Sequence, residues 1–233
     1  MTQRMIQIDS PFFISEAQLN SPSDLTALFP VERPLALEIG CGIGHFIVEL
    51  AAANPDTNFL AIDIYNKGCY KTCKKLERLN LDNVLVMRTE ACYLMLNYIE
   101  KESLVGVYVN CPDPWPKKRH RSRRLISNPF MKALLHYLQP NADFYFSTDF
   151  TDYAEQVAEC LPQLKGYQNC LPTPWVTHLP DYPVSKYMQR FLDRGQPIYF
   201  MHYRRDRHII SADLPEPDIQ AGFRTRWGRV ANE

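Results

Sequence analysis

Asp113 stands in the stretch NCPDPWPKKRHRSRR (residues 110–124), between two prolines and ahead of a tryptophan. Proline fixes its own φ and lacks an N–H, so this segment neither continues a strand nor enters a helix. It presents one carboxylate on a stiff turn that has little entropy left to lose when a ligand orders it. Directly behind it come Lys117, Lys118, Arg119, Arg121, Arg123 and Arg124. A rigid acid aligns a polar edge, and neighbouring cations take phosphate oxygens. The pairing suits a phosphate-bearing partner whose reacting group must be oriented.

A second set of groups lies upstream in EIGCGIGHF (38–46), where Glu38 precedes Gly40, Gly42 and Gly44. Glycine here permits a tight turn and close approach of backbone to ligand. The spacing is G-x-G-x-G; a dinucleotide fingerprint needs glycine at 45, where His45 stands. A merely structural turn is the alternative. Asp63 ends an apolar run about twenty residues later, where a carboxylate can accept both hydroxyls of a ribose. Glu90 follows a third such run, placed to meet an adenine edge or amine, or to favour the start of a helix after Thr89.

Short apolar runs alternating with amphipathic stretches must position these groups. Strands are expected at 34–40, 58–64, 83–89, 104–110 and 142–148, and helices at 45–55, 65–80, 91–101, 128–139 and 152–161. The alternation predicts an α/β fold with a mostly parallel, doubly wound, Rossmann-like sheet and ligands at the carboxyl ends of its strands. Residues 197–204, PIYFMHYR, are expected to pair antiparallel at or near an edge. Asp113, just beyond the fourth strand, then faces the same cleft as the glycines. We expect an N-terminal extension (1–27), one domain (28–205) and a loose, basic tail (206–233).

Composition narrows the partners. The 233 residues are 45% hydrophobic and 22% charged, with formal net charge zero, so a nucleic-acid partner must be argued from clustering and not from total charge. YRRDRH (203–208) and FRTRWGR (223–229) add to the basic arm, which is expected to stay mobile until RNA orders it. The seven cysteines have no zinc-ligand spacing and read as reduced, packed thiols. No metal is expected. With no signal-like N-terminus and no apolar run near the ~20 residues of a membrane span, a cytoplasmic protein is expected.

Taken together, Glu38, the glycine loop, Asp63 and Glu90 resemble the S-adenosylmethionine site of class I Rossmann-like methyltransferases. DPWP (113–116) is similar to the (Asp/Asn)-Pro-Pro-aromatic turn of amino methyltransferases. The blocks LEIGCGIGHF, NCPDPWPKKRHRSRRL, FSTD and SKYMQRFLDRGQPIY, in that order, resemble the bacterial tRNA (guanine-N7)-methyltransferase family from about Leu28 to Arg205. The resemblance implies S-adenosylmethionine as donor and a guanosine of the tRNA variable loop, position 46, as acceptor, giving 7-methylguanosine. It implies that Glu38, Gly40, Gly42, Gly44, Asp63, Glu90 and Asp113 bind the cofactor and that Asp113 is catalytic. Lys117 and Asp149 match its substrate-binding positions. Its Thr-x-Tyr-Glu element appears here as Ser185, Lys186, Tyr187 and Met188, so Ser185 and Tyr187 keep their chemistry while Met188 lacks the carboxylate.

Guanine N7 carries an in-plane lone pair and no proton, so its methylation requires no general base. Asp113 is therefore expected to orient the base and stabilise its growing positive charge. Asp149 is expected to be free for ligand, because Asp152 and Glu155 form a capping-box-like pair for the following helix. A glutamate at Met188 is expected to be tolerated. The alternatives are an adenine amino-group RNA methyltransferase, a nicotinamide dehydrogenase, weakened by His45, and a non-catalytic RNA-binding module. No obligatory protein partner is evident, and a homodimer is compatible with the sequence.

Overall fold

The computed structural model describes residues 5–214 and 216–220. In chain order the elements are β1 (Phe13–Ile14), α1 (Pro22–Ala27), β2 (Leu35–Ile39), α2 (His45–Ala53), β3 (Asn58–Asp63), α3 (Asn66–Leu79), β4 (Val84–Arg88) and α4 (Ala91–Tyr98). They continue as β5 (Leu104–Asn110), α5 (Asn128–Tyr137), β6 (Leu138–Thr148), α6 (Thr151–Cys160), β7 (Tyr167–Asn169), α7 (Lys186–Leu192) and β8 (Tyr199–Arg205). The strands form one sheet in the order β1-β4-β3-β2-β5-β6-β8-β7. All pairings through β6 are parallel, and β8 runs antiparallel between β6 and β7.

Alternation along the central strands divides the core in two. Leu35, Leu37, Ile39, Leu60 and Ile62 join a large apolar cluster on one face, whereas Ala36, Phe59 and Ala61 join a second beneath α2 and α3. Both faces are covered, so every residue of β2 is buried, Glu38 included. Helix α3 shows why it docks: Cys69, Thr72, Cys73 and Leu76 form its buried stripe, with Lys67, Lys71 and Arg78 outside. Cys69 and Cys73 are packed thiols.

The chain leaves β2 toward β3 and β4 on one side and returns at β5 to build the other. This strand-order reversal opens a crevice at the carboxyl ends of β2 and β5. The expected strands and helices are all present, and 197–204 forms β8 one strand in from the edge. Strand β7 was not foreseen. Within the described part of 1–27, β1 pairs with β4, and Leu19 and Leu25 are core residues. At the other end Arg205 is fully buried and donates to Leu138 O and Ile209 O while pairing with Glu102, so it is no RNA contact. Arg204 pairs with Asp143, and FRTRWGR lies outside the described residues.

Candidate active site

The glycine loop is built for close approach. Gly40, Gly42 and Gly44 all have positive φ, and Gly44 starts α2. A Cβ on Gly68 of α3 would lie 2.3 Å from Gly42 O, so that helix can pack under the loop only because it has a glycine there. Asp63 fixes the loop from below: Oδ2 accepts the Gly42 N–H at 2.7 Å and Oδ1 the Tyr65 N–H at 2.7 Å. Burial raises its pKa against the pull of these donors.

Glu38 is 1% exposed, and its Oε2 has no hydrogen-bond partner. Burial first, and Asp63 second, push its pKa up to about 8. An orphaned acceptor at the floor of a crevice is a receptor for a cationic donor. One part of that crevice, of about 330 Å³, is lined by Glu38, Gly40, Gly42, His45, Tyr187 and Arg190, among others. A contiguous part of about 280 Å³ is lined by Asp63, Glu90, Asn110, Pro112 and Asp113. The first suits the ammonium end of S-adenosylmethionine and the second its nucleoside, so the residues present fit this cofactor.

Glu90 performs the capping role that was its alternative reading: Oε1 accepts Cys92 N–H and Oε2 accepts Tyr93 N–H, each at 2.9 Å. It still lines the cavity, held rigid by that cap. Asn110, which sequence reasoning missed, lines both parts. Its Oδ1 accepts Ser147 Oγ at 2.8 Å and Tyr182 Oη at 2.9 Å, leaving a buried Nδ2 without a partner. Tyr182 comes from a stretch that read only as a proline-rich connection. It also packs against Phe46, Tyr108 and Tyr145.

The turn after β5 is bracketed by two non-glycine residues in the left-handed region, Cys111 (φ 44°) and Trp115 (φ 44°). Strain of this kind persists only where the surroundings enforce it. Cys111 N–H is tied to Ser147 O at 2.9 Å. The other anchor is Arg124, and it corrects an expectation. At 3% exposed, Arg124 is not available to phosphate: it donates to Pro114 O (2.7 Å), Gln156 Oε1 (2.6 Å) and Asp152 Oδ2 (2.6 Å), and lies 4.7 Å from the Tyr153 ring. The basic arm is accordingly tied down at its end by Arg124. Lys118–Arg123 form a 3-10 turn started by Lys117, with Arg121 also paired to Asp152. Lys117, Lys118, Arg119 and Arg123 remain exposed, Arg123 4.9 Å over the Trp115 ring. Arg124→Ala should cost about 1–3 kcal/mol, read as a lower denaturant midpoint, because it leaves buried acceptors unsatisfied.

Asp152 therefore makes no capping box. Phe150 begins α6 without a side-chain cap, and Asp152 instead binds the two arginines. Asp149 caps nothing either; it lies beside Tyr187, whose phenol is pushed up to about 12 by burial, then by Asp149 and, less strongly, by Cys111 and Asp113. Ser185 caps α7 by accepting Met188 N–H at 3.2 Å. The structure thus brings Glu38, Gly40, Gly42, Asp63, Glu90, Asp113, Ser185 and Tyr187 to the linked cavities, with Gly44 behind them at the start of α2, Asp149 beside Tyr187 and Lys117 on the adjoining arm.

Residues 32–201 match the family model described as "Putative methyltransferase". The chain is 54% identical over 228 residues to the tRNA (guanine-N(7)-)-methyltransferase of Syntrophotalea carbinolica, covering 97% of this chain and 98% of that one. To the protein of the same name from Geobacter metallireducens it is 53% identical over 204 residues, covering 87% and 97%. Among solved structures, the 16S rRNA methyltransferase KamB superposes with TM-score 0.58 at 14% identity, over 81% of this chain and 95% of that one. An antibiotic-related methyltransferase gives TM-score 0.54 at 17% identity, over 80% and 94%. These structural likenesses show the class I methyltransferase fold. The sequence matches, which run nearly the whole length of the chain, place this protein in the bacterial tRNA (guanine-N(7)-)-methyltransferase family.

Proposed function

We propose that the protein transfers a methyl group from S-adenosylmethionine to N7 of a tRNA guanine, and that the acceptor is position 46 in the variable loop. One observation carries the reading: the cavity that holds a buried, unpartnered carboxylate oxygen on Glu38 shares Gly40, Asn110 and Cys111 with the cavity lined by Asp113, and the chain then runs directly into an exposed cationic turn. Relatives with the corresponding printed name support the same substrate.

S-adenosylmethionine, when bound, supplies a methyl carbon made electrophilic by its sulfonium. Gly40, Gly42 and Gly44 would let the backbone approach it, Glu38 would face the ammonium, and Asp63 and Glu90 the nucleoside. Asp113 would hold the N–H edge of guanine and favour the cationic product, with Asp149, Tyr187 and Ser185 completing the base site. Lys117, Lys118, Arg119 and Arg123, with Arg121 once released from Asp152, would take phosphates, so the chemistry asks these residues for alignment and charge and for no proton transfer. No described helix is long and apolar enough to cross a membrane, and the tRNA substrate points to the cytoplasm.

The deciding experiment incubates protein, labelled S-adenosylmethionine and bulk tRNA, then identifies and maps the labelled nucleoside. 7-Methylguanosine at position 46 is expected; N6-methyladenosine, or no transfer, would overturn the proposal. Two binding predictions accompany it. Asp63→Ala should weaken cofactor binding by roughly 1–3 kcal/mol through lost charge-assisted bonds and a loosened loop, measured by calorimetry. Glu38, with its pKa raised to about 8 in the free protein, is largely protonated at neutral pH and must ionise to meet an ammonium. Binding of S-adenosylhomocysteine should therefore release about one proton near pH 7 and tighten roughly tenfold per pH unit until about pH 8. Calorimetry in buffers of different ionisation enthalpy reads this directly; a binding enthalpy independent of buffer would refute it.

A further inference from the structure

The crevice has a second cationic rim that the basic arm does not supply. His45 at the start of α2 and Lys186 and Arg190 on α7 line the larger part of the cavity. Behind them, Lys75 of α3 donates to the carbonyl of Ile43, another lining residue, and Lys71 stands one helical turn earlier. Lys71, Lys186 and Arg190 are exposed, and none has an ion-pair partner among the described residues. The acid nearest in α3, Glu77, is taken by Lys74 at 2.7 Å.

These cations crowd one another. Burial, then Lys186 and Lys71, hold the Lys75 ammonium below its ordinary range, and burial, then Lys75 and Lys186, do the same to His45. Like charges gathered without counter-charge are costly unless an anion relieves them. A single carboxylate, such as that on the methionine end of the cofactor, has too little charge to neutralise a rim that extends past the cavity onto the outer face of α3. A polyphosphate backbone spans such a distance, since its charges recur every few ångströms.

We propose that Lys71, Lys186 and Arg190 form a second phosphate-binding rim for tRNA, separate from the 117–123 turn. The RNA strand is then held at two places near the reacting base, which restrains the base at Asp113 better than a single grip. Lys75 braces the glycine loop and tops up the field.

This inference rests on the proposed tRNA substrate, and its test separates the two. Lys71→Gln, Lys186→Gln and Arg190→Gln are combined in the full-length protein, and tRNA binding is measured as a function of salt, with S-adenosylhomocysteine affinity as a parallel arm. Affinity for tRNA should fall roughly tenfold or more at low salt, and the log–log salt slope should shrink by about 2, reflecting up to three lost counterion releases. The salt slope decides. A slope equal to that of the unaltered protein overturns the rim. Weakened cofactor binding with an unchanged slope also overturns it and assigns the cations to the methionine carboxylate. Failure of the unaltered protein to bind tRNA at all would instead sink the proposed substrate.

Discussion

Asp113→Asn is expected to lower single-turnover methylation by ~10²-fold or more, about 2.7 kcal/mol of transition-state stabilisation, while the fold and most tRNA affinity survive. The residue is exposed and sits on a turn held by Arg124 at Pro114 and by Ser147 at Cys111, so removing its charge disturbs no packing. Affinity is dominated by phosphate contacts, which the substitution leaves in place. The loss therefore falls on the step in which positive charge moves onto the base. Because N7 has no proton to give up, the ratio of the two rates should stay flat across the neutral range, unlike the loss of a general base. Single-turnover rates with saturating tRNA give the magnitude. A loss of less than about threefold would remove Asp113 from the chemistry, and a ratio that changes tenfold per pH unit would restore proton transfer to it.

Met188→Glu should cost about 3–5 kcal/mol of stability, read as a lower thermal midpoint and loss of ordered α7. This reverses the expectation from sequence. Met188 is 0% exposed and forms a small apolar cluster with Ile198 and Phe200, against which Leu179, Tyr182 and Phe191 pack. Helix α7 carries Tyr187 to the crevice while burying the next residue, since side chains at 187 and 188 diverge by about 100° around the helix. A glutamate there must bury its carboxylate without a counter-charge or unseat the helix, and either outcome removes Ser185 and Tyr187 from the base site. Met188→Leu keeps the volume and should cost less than about 1.5 kcal/mol, which separates the effect of charge from that of packing. A glutamate variant that melts with the unaltered protein would show that the residue reaches solvent or a cation.

The alternation of elements, the place of the glycine loop and the acids at the strand ends were legible from residue order alone. Those features are local: turn chemistry at Gly40 to Gly44, apolar runs of strand length, and the stiffness of Pro112 to Pro116 each act over a few residues. Residue order also carried the family, because the blocks around Glu38 and Asp113 are short and specific. Where long-range partners send a side chain became visible only in the folded chain. Arg124 reads as one more cation in a basic run until Asp152 and Gln156, 28 and 32 residues away, are seen to enclose it. Asp152 reads as a helix cap until those arginines claim it. Asn110 and Tyr182 meet across 72 residues, and Lys71 and Lys186 share a rim although more than a hundred residues separate them. Charge and polarity are written residue by residue, but desolvation and pairing depend on what the fold brings alongside, and these decide whether an arginine binds phosphate or holds a turn.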